Sequence, residues 1–336
     1  MVRNKQKERK VKRDLRTVLI HILVALMCMM PVMLTGCSGQ QGTQPADDQQ
    51  QATEEQGAGQ EEQAAVSYED AKVSYLGPQG TYTEEACQHF FEKQGEYLPY
   101  ENVDAAVEAL VKGESNYAVI PQENTIGGAV IDYVDTLIGE NKVSVVGEVE
   151  LTINQNLLVL PGAQLSDIKT VYSHKQGIAQ GKEWLAKNLP DAEVVEVSST
   201  AEGAKMVAEG KDPSCAAIAS AGCSEVYGLD ILAENIQNND SNKTRFYVLT
   251  CAEPGTAQSD RLAFIATGSA EALPALMEEL DDREVTLVTI HDRPLKTELG
   301  EYHYLIECEN CSYDTFEALK DKTELELRYL GSFAVK

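Results

Sequence analysis

Thr244 and Arg245, within the run Asn242-Lys243-Thr244-Arg245-Phe246, place a hydroxyl beside the only arginine between Arg16 and Arg261. A guanidinium is planar, permanently charged and able to grip a carboxylate through two parallel hydrogen bonds. Arg245 is therefore a candidate clamp for an anionic ligand, with Thr244 aimed at the same molecule. The competing reading is an ion pair with one of the many nearby acids, a frequent fate of arginine.

Four other polar sets sit where an apolar run gives way to an amphipathic one. They are Gly77-Pro78-Gln79-Gly80-Thr81-Tyr82-Thr83-Glu84, Pro121-Gln122-Glu123-Asn124-Thr125, Ser173-His174-Lys175-Gln176 and Ser199-Thr200-Ala201-Glu202. Helix capping explains any one of them, and Ser199 with Glu202 fits a capping box without a ligand. Four in one region suggest more, because open α/β sheets bind ligands beyond the carboxyl ends of their strands. Helix N-termini and hydroxyls there suit an anion. His174 is open to two readings, a proton source or a structural group at a helix start, and the second is the more frequent.

The elements that must carry these residues follow from periodicity. Short apolar runs predict strands over 73–76, 117–120, 143–149, 156–159, 170–172, 194–197, 215–219, 231–233 and 246–250. Amphipathic spacing predicts helices over 83–93, 103–111, 125–138, 176–188 and 200–209. Alternation of the two implies an α/β architecture with mostly parallel sheets. From Arg261 the order becomes strand, helix, strand, strand, helix, strand, the βαββαβ pattern of a ferredoxin-like fold in under 80 residues.

The beginning of the chain is built differently. Residues 1–16 hold eight Lys/Arg against two acids, residues 17–34 are almost wholly apolar, and Leu34-Thr35-Gly36-Cys37 follows. Basic, apolar and small residues in that order predict a secretory signal over 1–36; an uncleaved membrane anchor is the alternative. Either places the remainder outside the cytoplasmic membrane. Residues 37–70 are rich in Gln, Glu, Gly and Ala, and from Ser38 to about Ala65 contain no aromatic residue, the composition of a flexible tether. Without residues 1–36, 20 Lys/Arg face 52 Asp/Glu, a formal charge of −32 that argues against nucleic acid as a partner. The six cysteines beyond Cys37 are too sparse for a disulfide scaffold, and Cys308-x-x-Cys311 lacks the second pair of a zinc site. Free buried thiols or a 308–311 bridge both fit.

Taken together, the motifs resemble those of prephenate dehydratases that carry a C-terminal ACT regulatory domain. Tyr75-Leu76-Gly77-Pro78-Gln79-Gly80-Thr81-Tyr82-Thr83 is similar to the family's opening glycine-threonine motif. Ile120-Pro121-Gln122-Glu123-Asn124-Thr125 resembles its Pro-x-Glu-Asn-Ser segment, with Thr125 in place of serine. Ser173-His174-Lys175-Gln176 matches Ser-His-x-Gln, and Thr244-Arg245-Phe246 matches the catalytic Thr-Arg-Phe. The resemblance implies a two-lobed, periplasmic-binding-protein-like dehydratase domain over 71–252 and a ferredoxin-like ACT domain over 260–336. It implies loss of carbon dioxide and the ring hydroxyl from prephenate to give phenylpyruvate, with no metal or organic cofactor. In that reading Thr244 donates to the departing oxygen and Arg245 holds a carboxylate. Gly80, Thr81, Thr83, Asn124, Thr125, Ser173, His174, Gln176, Ser199, Thr200 and Phe246 bind substrate. The ending at Cys37 resembles a bacterial lipobox, which implies a lipid on that sulfur and an anchored protein on the outer face of the cell membrane.

The effector loop departs from the family pattern. Glu271-Ala272-Leu273 stands where Gly-Ala-Leu is usual, and His291-Asp292-Arg293-Pro294 where Glu-Ser-Arg-Pro is usual. Ala272, Leu273, Arg293 and Pro294 keep the effector positions. Loss of the glycine removes the close backbone approach an amino acid needs and argues against phenylalanine regulation. Pairing into homodimers or tetramers through the ACT part remains the expectation. The runner-up function is a lipid-anchored binding protein or sensor for a small aromatic or dicarboxylate ligand. The extracytoplasmic location favours it, and the intact Thr-Arg-Phe motif favours the enzyme.

Overall fold

A computed structural model describes residues 67–336; the expected signal segment, Cys37 and most of the 37–70 tether lie outside the described residues. In chain order the first part comprises β1 (Lys72–Leu76), α1 (Tyr82–Phe90), β2 (Glu96–Tyr100), α2 (Val103–Val111), β3 (Tyr117–Asn124), β4 (Gly128–Ala129), α3 (Ile131–Gly139) and β5 (Ser144–Thr152). The second part holds β6 (Asn156–Val159), β7 (Thr170–Ser173), α4 (Lys175–Asn188), β8 (Glu193–Glu196), α5 (Thr200–Gly210), β9 (Cys215–Ala219), α6 (Gly222–Tyr227) and β10 (Asp230–Ala233). The chain then returns through β11 (Lys243–Thr250). It continues with β12 (Arg261–Ser269), α7 (Leu273–Asp282), β13 (Thr286–Pro294), β14 (Glu301–Glu309), α8 (Tyr313–Lys320) and β15 (Glu326–Val335).

These strands form two sheets. One has five strands in the order β10-β6-β9-β7-β8; the other runs β13-β14-β12-β15-β5-β11-β3-β1-β2, with β4 beside β3. Both are mixed, which corrects the expectation of mostly parallel sheets. β11 lies antiparallel between β3 and β5, because it enters from the second lobe rather than through a crossover helix on the same sheet. The helices form as their spacing predicts. In α2 the buried set Val103, Ala106, Val107 and Leu110 repeats at helical period, and the Asn102 side chain accepts from the Ala105 amide at its start.

Several boundaries differ from the sequence expectation, each for a local reason. β3 extends past Ile120 to Asn124, and the helix expected from Thr125 begins only at Ile131. Between them Gly128, at φ +75°, turns the chain back so that Gly128–Ala129 pairs with Asn124 and Glu123. β11 begins at Lys243, three residues before the strand expected from Phe246, so that Thr244 and Arg245 lie inside it. β2 escapes the sequence reading because Pro99 interrupts its pattern; a proline is tolerated there since β2 is the edge of its sheet.

Residues 251–260 form no regular element, yet the strands that follow join the sheet of the first lobe. Ala334 pairs with Gly147 and Val335 with Glu148, in parallel. Gly331 permits this: at φ +154° it passes so close to β5 that a Cβ there would stand 2.1 Å from the Val145 carbonyl oxygen. Ala263, Ile265, Leu330 and Phe333 then share one core with Tyr133, Val145 and Tyr247. Cys308 and Cys311 are both buried free thiols in the adjoining core. Among the described residues no helix is long and apolar enough to cross a membrane.

Candidate active site

The chain crosses between lobes twice, at 153–155 and 236–242, and the two crossings are tied by Ile153 N–H to Asn242 O (2.8 Å) and Ile236 N–H to Gln155 O (2.8 Å). Thr244 lies just beyond the second crossing, 9% exposed. Asn124, at the end of β3, is its register partner. The Asn124 amide nitrogen donates to Thr244 Oγ1 at 2.9 Å and to Asn242 Oδ1 at 2.8 Å. Its Oδ1 accepts from the backbone N–H of Ile126 (3.0 Å) and Gly127 (2.8 Å). Those two backbone donors fix which end of the amide faces Thr244. Because Asn124 acts as donor, the Thr244 hydroxyl proton is left for a ligand.

Gln176 reaches this group from the other lobe, its amide nitrogen only 2.7 Å from where a Cβ on Gly127 would stand. Thr125 is bound more tightly into the framework: its hydroxyl accepts from Lys243 N–H (3.0 Å) and faces Ser241 O at 3.3 Å. The structure thus brings together Thr244, Asn124, Thr125 and Gln176.

The other predicted positions are distributed around the junction of the lobes. Thr81 caps α1, accepting from Glu84 N–H at 3.4 Å, and Thr83 is buried in its first turn. Gly80, at φ +83°, packs on Cys223, and its carbonyl accepts from Ser220 Oγ at 2.7 Å. Ser173 is fully buried and donates to Ile218 O at 2.7 Å. Ser199 caps α5, accepting from Glu202 N–H at 3.0 Å, with Thr200 next to it. Ser199 also lines a cavity of about 650 Å³ with Gly77, Gln79, Tyr100 and Lys205. His174 caps α4 through its Nδ1, which accepts from Gln176 N–H at 3.4 Å. Burial, then Lys175, lowers its pKa and keeps the ring neutral at pH 7, which suits the structural role.

Two residues are placed otherwise than expected. Phe246 is 1% exposed in the core with Val73, Phe90 and Val149, so it anchors β11 and does not face a cleft. Arg245, one residue from Thr244, projects from the opposite face of the sheet, as strand alternation requires. Its Nη2 donates to Glu123 at 2.7 Å, and its Nη1 to Glu307 at 2.7 Å and Glu148 at 3.4 Å. The clamp assigned to Arg245 does not fit this placement, and the competing ion-pair reading does. Arg261 joins the same cluster, donating to Glu307 at 3.0 Å and to Glu148. Sequence reasoning missed the partners Glu148 and Glu307 because acids are common in this chain and only the strand register selects these two. Asn242 was in view within the motif, but not its role of orienting Asn124.

Glu148 and Glu307 are both fully buried. Burial, then the charge of Glu307, pushes the Glu148 carboxyl up to about 8. Burial also opposes the Glu307 charge, but Arg245, hydrogen bonds from Tyr247 and Gln122, and Arg261 outweigh it and hold that carboxyl below its usual range. Glu148 therefore binds its proton more tightly in the folded chain than in the unfolded one. That favours folding fully below about pH 4.5, and the gain is lost as pH rises through about 8. Glu148→Gln should remove this slope: urea midpoints of wild type, relative to the variant, fall between pH 4.5 and 8. Parallel curves across that window would show that Glu148 does not titrate there.

The family model for prephenate dehydratase matches residues 73–254, which carry every residue of the Thr244 group. The chain belongs to the prephenate dehydratase family. It is 36% identical over 236 residues to the bifunctional chorismate mutase/prephenate dehydratase of Neisseria gonorrhoeae, covering 70% of this chain and 65% of that one. It is 32% identical to the prephenate dehydratase of Mycolicibacterium gilvum, covering 77% of this chain and 89% of that one. The crystal structure of the Arthrobacter aurescens prephenate dehydratase in complex with L-Phe superposes with a TM-score of 0.71 at 30% identity, covering 78% and 90% of the two chains. The family is one of hydro-lyases acting in aromatic amino acid biosynthesis, and its members share this α/β fold of two lobes. Among the described residues no cluster of His, Cys, Asp and Glu is arranged to hold a metal ion.

Proposed function

We propose that this protein converts prephenate to phenylpyruvate, carbon dioxide and water, with Thr244 as the donor to the departing hydroxyl. The hydrogen bond from Asn124 to Thr244 Oγ1 carries the reading, since it turns the hydroxyl proton outward. The bond from the ring to its carboxylate breaks, the electron pair enters the ring, and the C–O bond opposite breaks as the ring becomes aromatic. Oxygen leaves with negative charge developing on it, and solvent supplies the proton that completes water. A threonine hydroxyl is too weak an acid to deliver a proton outright. As an oriented donor it gains strength as that charge grows. Gln176 and the starts of α1, α4 and α5 supply neutral N–H groups for the substrate carboxylates in the role first given to Arg245. Formation of phenylpyruvate from prephenate by the full chain in detergent tests the proposal. A folded chain without activity would sink it and favour the binding-protein reading.

The C-terminal segment fits an ACT domain of ferredoxin-like topology: four antiparallel strands in the order β13-β14-β12-β15 with α7 and α8 between them in sequence. Such domains support assembly into homodimers or tetramers, which mass measurement in solution checks. For phenylalanine as effector the support is mixed. The Arthrobacter aurescens relative was solved with it. Here Ala272 and Leu273 begin α7 behind the charged Glu271, while Arg293, next to Pro294 on β13, is held bidentately by Asp135 of α3. Adding phenylalanine to the same assay decides between regulation and its loss.

The lipid anchor at Cys37 and a site on the extracytoplasmic face of the membrane rest on the order of residues in 1–37. Cys37→Ser should move the protein from the membrane to the soluble fraction and abolish labelling by a radioactive fatty acid. A variant that stays labelled at wild-type level would rule out lipid on that sulfur.

A further inference from the structure

We infer that Glu307, on β14 of the C-terminal segment, is a positioning residue for the dehydration, acting on Thr244 and Asn124 through the strands that carry them. The inference rests on the proposed dehydratase activity. Glu307 lies 63 residues beyond Thr244 in sequence, so its place depends on the way β12, β14 and β15 extend the sheet of the first lobe.

Its carboxylate accepts hydrogen bonds from four side chains. On β11 these are Arg245 Nη1 at 2.7 Å and the Tyr247 hydroxyl. On β3 the donor is Gln122 Nε2 at 2.8 Å, and on β12 Arg261 Nη1 at 3.0 Å. Gln122 is two residues before Asn124, and Arg245 adjoins Thr244. One buried acid therefore grips both strands of the Asn124–Thr244 pair, from the face of the sheet opposite to the site.

The grip falls at an irregularity. The β3–β11 ladder pairs Arg245 with Glu123 but Phe246 with Pro121, so Gln122 is an extra residue without a partner on β11. A bulge disrupts the ladder locally and re-aims the residues beyond it. Here the residues beyond it are Glu123 and Asn124. With ladder bonds disturbed at Gln122, its carbonyl accepts from Val130 N–H at 2.9 Å and its Nε2 donates to Glu307 at 2.8 Å and, more weakly, to Glu148 at 3.4 Å, so the Glu307 bond is the shortest side-chain tie of that residue. Gln122 is fully buried, and its Oε1 has no partner among the described residues, so its amide is held chiefly through Nε2. Release of Gln122 and Arg245 together would loosen the 2.9 Å relation on which the outward turn of the Thr244 proton depends. A displacement of that kind costs rate more than binding, because the donor matters most in the transition state.

The experiment compares kcat and KM of the full chain with Glu307→Gln, alone and combined with Thr244→Ala. The Gln variant keeps shape but loses the charge that holds two guanidiniums. The expected result is a kcat lower by on the order of tenfold with KM within about twofold. In the Thr244→Ala background the same change should have no further effect, because the group it positions is gone. A general loss of structure would instead multiply with the Thr244 loss. Gln122→Met, which releases β3 without altering any charge, is the second variant should Glu307→Gln fail to fold, and it should lower kcat several-fold. An active wild type with either folded variant at full kcat, or losses that multiply in the double variant, would overturn the inference. A wild type that makes no phenylpyruvate overturns the dehydratase reading itself.

Discussion

Thr244→Ala lowers the rate of phenylpyruvate formation by on the order of a hundredfold or more, and the variant melts close to wild type. The expected loss is large because the hydroxyl is buried to 9% exposure, where a hydrogen bond to developing charge is little diluted by water. The expected retention of fold follows from the partners that remain. When Thr244 Oγ1 is deleted, the Asn124 amide nitrogen still donates to Asn242 Oδ1 at 2.8 Å and faces Lys243 O at 3.2 Å. No buried donor is orphaned, so the usual penalty for breaking a buried pair is avoided. Thr244→Ser restores a hydroxyl on a side chain freer to rotate and should recover part of the rate. Continuous detection of phenylpyruvate with melting curves on the same samples measures both quantities. An alanine variant at wild-type rate would remove Thr244 from the reaction.

Gly331→Ala should destabilise the whole described unit by about 3 kcal/mol, through backbone strain and overpacking at one place. A Cβ would lie 2.1 Å from the Val145 carbonyl oxygen, and no rotamer can relieve a clash between Cβ and backbone. Either β15 withdraws from β5, breaking the Ala334–Gly147 pairing, or both strands shift within the core they share with Tyr247 and Phe333. Denaturant midpoints provide the measurement, and the melting temperature should drop by on the order of 10 °C. Gly139→Ala is the control, since a Cβ there meets nothing within 4 Å and its φ is not positive. Equal stability of the Gly331 variant and wild type would show that the β15–β5 junction yields without strain.

The parts legible in the sequence were those coded by local pattern. Helical spacing gave α2 and α5 nearly to the residue, and the polar motifs pointed to Asn124 and Thr244, which are hydrogen-bonded, and to Gln176, which lies beside Gly127. What was not legible depended on register between distant segments. Arg245 looked like a ligand clamp because a lone guanidinium beside a hydroxyl suggests one. Its true neighbours, Glu148 and Glu307, lie on β5 and β14, and nothing in either segment names the strand it will pair beside. Strand alternation alone would have warned that Thr244 and Arg245 face opposite ways, had the strand been read from Lys243 rather than from Phe246. The early helix expected at Thr125 failed for a different reason. The expected helix over 125–138 ran straight across Gly127-Gly128, whereas a positive φ at Gly128 lets the chain double back on Asn124 and so builds the turn that orients its amide.

The parallel pairing of β15 with β5 also sets an order of events during synthesis. Ala334 meets Gly147, so a loop of roughly 190 residues must close before the middle of the large sheet is complete. At ribosomal speeds β5 waits on the order of ten to forty seconds for its neighbour to be made. Through that interval its outer edge presents free N–H and C=O groups beside Val145 and Val149, the kind of surface on which nascent chains aggregate. The newborn protein therefore carries an unpaired strand edge in its first lobe until β15 has been made.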